Sequence, residues 1–318
     1  MPPPGRSSSR MRPPWSVTMR WARARPRPTP PRRPVAKGWN SRVRISSGSP
    51  GPRSSTATSN PSPSRATETS TTRAVIRLAP FNLASAVLVL AAVVVEGTAA
   101  YLLWAAAFAV EWFTPRLAGT GGFRIAPAHF VERHGLVVIV ALGESIVAIG
   151  IGAAGLPVDL ALASVAVLGL LLAACLWWAY FGGDDARAER ALAAVPDDRR
   201  AAVAVRAFGY WHLPILLGII VLAAGLKHAI GHAFDRLDLA HALLLGGGVA
   251  VFLAGDVGFR RTLWLGPGHL RAAAAVLALA TVPVGVAGSA VLQLVLLGIV
   301  LAGSLAAESA GTWSRGQG

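Results

Sequence analysis

HFVERHGLVVIVALGESIVAIGIGAAG, residues 129–155, decides the fold class. Four polar side chains, His129, Glu132, Arg133 and His134, crowd its start, and the 21 residues after them hold one charge, Glu144. A helix needs about 20 mostly apolar residues to cross the hydrocarbon core of a bilayer. This run is long enough, and its Leu, Val and Ile fall on every face instead of one stripe. It reads as a membrane-crossing helix over 134–154, approached through an interfacial polar cluster.

The same pattern repeats on both sides. Apolar segments at 78–96, 98–114, 158–181, 203–226, 240–259, 270–287 and 289–307 bring the expected number of spans to eight. The first two are separated only at Glu96-Gly97-Thr98 and the last two only at Ala287-Gly288-Ser289, so these two turns carry the count. A charged fraction of 14% against 53% hydrophobic residues fits an all-α, polytopic transmembrane bundle and not a soluble domain.

The net charge of +15 sits almost wholly in residues 1–73, which hold 15 Lys/Arg, a single acid (Glu68) and 14 of the 22 prolines. This Arg/Pro/Ser-rich stretch has no apolar run with which to offset the entropy of ordering, so it reads as a disordered basic tail before a transmembrane domain at 74–318. It lacks the apolar core of a secretory signal. A solvated tail beside an anionic bilayer surface is one reading, and a nucleic-acid arm using Trp15, Trp21 and Trp39 is a weaker one. The abrupt change of composition near Arg73 favours a third, a wrong reading frame or misplaced start. Nucleic acid is not an expected partner.

Loop arginines give the orientation. With eight spans, the even-numbered loops and the C-terminus carry twelve basic residues: Arg116, Arg124 and Arg133; Arg187, Arg190, Arg199, Arg200 and Arg206; Arg260, Arg261 and Arg271; and Arg315. The opposite loops carry two, Lys227 and Arg236. Cytoplasmic loops are the Lys/Arg-rich ones, so both termini are expected in the cytoplasm. The acid pairs Asp184-Asp185 and Asp197-Asp198 read as parts of a solvated helical connection.

Chemistry-bearing residues are few. His129 and Glu132, three apart, and His129 and Arg133, four apart, share a helical face, and charges there anchor helix depth. Glu144 stands about ten residues into its span, where a carboxyl is costly and usually faces a bundle interior or relay. Its neighbours Ala141, Ser145, Ala148 and Gly152 form a small-residue stripe that lets another helix approach. The plain alternative is a protonated Glu144 bonded across helices for structure alone. Glu111, late in the second span, and His212, two residues before Pro214, are further candidates to converge on it. Asp256 and Arg260, four apart, read as an interfacial ion pair.

His129, Glu132, His134 and His212 are suitable zinc or iron ligands, but their spacing matches no helical metal site, so no metal centre is assigned. Cys175 is the only cysteine, which removes an intrachain disulfide and a cysteine metal site. No phosphate loop, dinucleotide fingerprint or nucleophile elbow is present, and Gly246-Gly247-Gly248 lies inside a span as a close-packing motif. The sequence names no cofactor.

HFVERHGLVVIVALGESIVAIG, residues 129–150, is similar to the signature of the bacterial low temperature requirement protein A (LtrA) family. In that signature a His-Phe-x-Glu-Arg-x-Gly-Leu stretch precedes Leu-Gly-Glu-Ser/Ala. Trp177-Trp178 with Tyr180-Phe181, then Tyr210, His212 and Gly218, fit the pattern that follows, and the resemblance spans 74–318. Members usually begin with further helices, the first bearing a Glu-Leu-Phe-Phe-Asp-like motif that residues 1–73 lack. The resemblance therefore implies a shortened chain with a foreign tail, and a link to growth in the cold. Two functions follow as expectations: a transport or ion-pathway component centred on Glu144 and His212, or a non-catalytic membrane adaptation or assembly factor. A metal-dependent membrane enzyme is the further alternative, and the balance is against an enzyme. The bilayer is the expected partner, with an ion or small molecule as substrate.

Overall fold

The structure is a computed structural model that describes residues 65–315, with side chains described over 71–310. It contains helices and no strand among the described residues. Residues 1–64, most of the expected tail, lie outside them. The first helix, α1 (Arg65–Val94), starts inside the stretch read as tail. Residues 65–73 contain neither Pro nor Gly, so the helix propagates backward from its apolar part.

All eight expected spans are present as helices. After α1 come α2 (Thr98–Ala118), α3 (Pro127–Ala153) and α4 (Leu160–Phe181). Two short helices, α5 (Asp184–Ala194) and α6 (Asp197–Ala204), form the long connection before α7 (His212–Ala229) and α8 (Leu239–Thr262). The next span is broken into α9 (His269–Ala280) and α10 (Val282–Ala287), because Pro283 has no N–H to continue the ladder. α11 (Ala290–Arg315) is the last described helix.

Among the described residues, seven segments are long and apolar enough to cross a bilayer. α2 is not among them, since Glu111, Thr114, Pro115 and Arg116 fill its last turns. Its 21 residues nevertheless rise about 31 Å, a bilayer's hydrocarbon thickness. It returns antiparallel along α1 until Arg77 of α1 donates to the carbonyls of Gly119 (3.3 Å) and Gly121 (2.8 Å) beyond its end. The chain is a multi-pass membrane protein.

Six spans form a closed ring in the order α3, α7, α8, α9, α11, α4, with α4 returning to α3. The α1–α2 hairpin packs chiefly on itself at the outside. At the centre α7 and α8 touch backbone to backbone. A Cβ on Gly248 would stand 2.6 Å from the Leu222 nitrogen and 2.9 Å from the Gly218 carbonyl, so no larger residue fits. Gly246 meets the Ala278 carbonyl of α9 on the other side, while Gly247 meets nothing. The expected Gly triplet thus uses two of its three members for packing.

Pro214 leaves a mark one turn upstream. Residues Val205–Tyr210 form a π-helical segment, and the Trp211 N–H reaches back five residues to the Arg206 carbonyl at 3.3 Å. Such a bulge accommodates the helix turn to a proline ring that crowds its i−4 carbonyl. The bulge turns Phe208 and His212 into the core.

Candidate functional site

The first site lies where the hairpin meets α3. A cavity of about 550 Å³ is bounded by Leu78 and Asn82 of α1, Glu111 of α2, Arg124 of the connection, and His129 and Arg133 of α3. Three residues singled out from sequence, Glu111, His129 and Arg133, therefore line one space. His129 Nδ1 lies 3.4 Å from a Glu132 carboxylate oxygen, as their shared helical face requires. Arg124 and Arg133 make no hydrogen bond or ion pair among the described residues.

One turn deeper on α3 begins a second, buried site. His134 Nδ1 is 2.8 Å from the Phe130 carbonyl, an acceptor only, so the ring donates from Nδ1. Its ring centroid is 5.6 Å from that of His212, with the rings nearly perpendicular. His212 is 2% exposed. Its Nε2 shares a 2.9 Å hydrogen bond with the Tyr180 hydroxyl, and its Nδ1 has no partner of normal geometry. Phe208 and Phe259 pack against both His212 and Tyr180 or His134, which walls the group with aromatic faces.

Below Tyr180 lies a third group that the sequence reading divided wrongly. Arg271 Nη1 donates to Asp256 at 2.6 Å and to the Ala179 carbonyl at 2.8 Å, while its other nitrogens reach Glu308 at 3.0–3.2 Å. Arg260 pairs with Glu308 at 3.0 Å and lies 3.7 Å from Asp184, which also pairs with Arg187. The expected Asp256–Arg260 pair is thus replaced by Asp256–Arg271. Asp184, expected in solvent, is buried under α5. Three acids and three arginines balance, which is the condition under which charges stay inside a protein.

Glu144 stands apart from all three. Its side chain is exposed, in line with exposed Arg133, Val137, Val140, Val147 and Ile151. The small stripe of Ser145, Ala148 and Gly152 does pack, with a Gly152 Cβ falling 2.6 Å from the Lys227 carbonyl of α7. Glu144 lies about 100° round the helix from Ser145 and so points away from that contact. It does not meet His212 or Glu111.

Sequence reasoning located His212 and missed what surrounds it. Tyr180 entered only as part of an aromatic pattern, and Phe208, Phe259, Arg271 and Glu308 were not singled out. The available signal was an acid in the last turn of one span, Asp256, and another just past the end of the last, Glu308, each needing a cation from another helix.

Residues 62–306 match the model of the bacterial low temperature requirement A protein (LtrA), and the chain belongs to that family. An uncharacterized protein of Rhizobium meliloti (strain 1021) is 32% identical over 175 residues, half of this chain and 41% of that relative's length. The matched stretch thus covers less than half of that relative. No solved structure matches the chain.

Proposed function

We propose that this member of the low temperature requirement A family is a component of an ion or small-molecule pathway in the bacterial inner membrane, with both termini in the cytoplasm. The observation that carries the reading is the imidazole of His212, buried in a span with Nε2 bonded to Tyr180 and Nδ1 without a hydrogen bond of normal geometry. A polar group at such depth is costly, and function is the default explanation for its retention. The His134 ring lies 5.6 Å from it, centroid to centroid, and is half-buried near the arginine-rich end of α3. His134, His212 and Tyr180 form a short series of groups that each accept and donate protons. Glu144 contributes a carboxyl on the uncovered face of α3, three turns beyond Arg133. The link to growth in the cold comes from the family's name.

The test is reconstitution of the purified chain into liposomes with a pH-sensitive dye inside. Under an imposed pH gradient, chain-containing vesicles should equilibrate faster than protein-free ones. Equal rates would remove proton movement from the proposal. The assembly-factor reading draws on the balanced ion cluster, which serves packing as it stands. It predicts that substitutions at His212 change stability and nothing else.

A further inference from the structure

The hairpin cavity is placed and lined like a phospholipid site. Its charged residues sit where α2 ends and α3 begins, with Arg116 on α2, Arg124 in the connection and Arg133 on α3, where a helix reaches the headgroup layer. Leu78, Phe123 and Phe130 continue the wall as apolar surface. Arg124 and Arg133 have no internal acid to satisfy them among the described residues, unlike Arg260 and Arg271 of the buried cluster. Glu111, which lines the same cavity from α2, likewise pairs with no cation among the described residues. Two guanidinium groups and one carboxylate, unpaired among the described residues and lining one cavity of about 550 Å³, make a charge pattern with a chemical complement.

We infer that this cavity holds one phospholipid whose head carries both a phosphate and a primary ammonium. The phosphate oxygens accept from Arg124 and Arg133, whose planar donors suit them. The ammonium donates to Glu111, and one acyl chain lies against Leu78, Phe123 and Phe130. An anionic lipid without an ammonium would satisfy the arginines and leave Glu111 facing negative charge. The lipid supplies what the fold omits here, since the hairpin meets the ring through few residues, among them Tyr210, whose hydroxyl donates to the Trp112 carbonyl at 2.9 Å. It acts as a bridge between hairpin and ring. This inference is independent of the histidine series, and lipid binding and proton flux are separate readouts.

The experiment delipidates the purified full chain in detergent, adds back dioleoyl phosphatidylethanolamine or phosphatidylglycerol, and counts bound lipid by native mass spectrometry alongside the melting temperature. Wild-type chain should bind one phosphatidylethanolamine in preference to phosphatidylglycerol and melt several degrees higher with it. Arg124→Gln with Arg133→Gln should weaken that binding by roughly tenfold or more, a loss of about 1.4 kcal/mol. Glu111→Gln should keep lipid binding but abolish the preference. Equal binding of the two lipids by wild-type chain overturns the inference, and so does an undiminished phosphatidylethanolamine affinity in the double arginine variant. Both variants alter exposed side chains, and the bound-lipid count is read on folded protein directly.

Discussion

The first span and α8 are nearly equal in hydropathy and opposite in placement. The most apolar stretch of Thr71–Val94 has mean hydropathy 1.9 and is 11% buried in the protein; that of Leu239–Thr262 has 1.8 and is 72% buried. Lipid tails are as apolar as leucine, so hydropathy sorts helices into the bilayer but not within the bundle. Glycine does the second sorting. α8 carries Gly246, Gly248, Gly255 and Gly258 against neighbouring helices, whereas α1 contains none. Close backbone approach, and not greasiness, makes α8 the centre of the molecule.

The comparison is broken most easily at that contact. Gly248→Val should destabilise the chain by about 3 kcal/mol or more, because its new methyls meet backbone atoms that cannot yield. Leu90→Ala on α1, a comparable change in volume at an exposed site, should move stability by no more than about 0.5 kcal/mol. Thermal unfolding in detergent reads both, and a comparable loss at the two positions would remove the distinction.

Arg271→Met probes the polar half of the same core. It strands Asp256 and Glu308 without their main cation and should cost about 3–5 kcal/mol. Replacing Asp256 and Glu308 by apolar residues in the same chain should return much of that loss, which chemical unfolding can measure. Tyr180→Phe removes one hydrogen bond inside the span and should cost about 0.6 kcal/mol, with roughly 1.7 as the upper bound.

The smallest effect belongs to the outer surface. Asp238 caps α8, accepting from the His241 N–H at 2.8 Å and lying 2.8 Å from its ring nitrogen. These contacts, the backbone bond first, hold its carboxyl below the usual carboxylate range. A depressed folded-state value means that the stabilisation is present above the unfolded pKa and lost as pH falls through the folded one. The small melting difference between wild type and Asp238→Asn should close as the solution is acidified through that range.

The spans were legible because hydropathy is local: eight segments and both Gly turns, at Gly97 and Gly288, could be read without knowing any contact. Rotation about a helix axis was not legible. Glu144 and Ser145 are adjacent in sequence, yet one is exposed and the other buried against a neighbouring helix, and only the packing of α3 on α7 decides which. Pairing across distance was hidden for the same reason. Asp256 has Arg260 at helical spacing, but Arg271 competes for it from α9, and Glu308, 37 residues beyond Arg271, completes the group. Asp184 looked solvated because α5 is polar, while the helix docks that one acid inward.

His212→Phe tests the buried histidine series most directly, because phenylalanine keeps the packing against Phe208 and Phe259 and removes both ring nitrogens. Proton flux is measured in liposomes loaded with equal amounts of folded wild-type or variant chain. The expected result is flux above the protein-free background for wild type and a fall to that background for the variant, with melting temperatures within a few degrees. Wild-type flux retained by His212→Phe would contradict it.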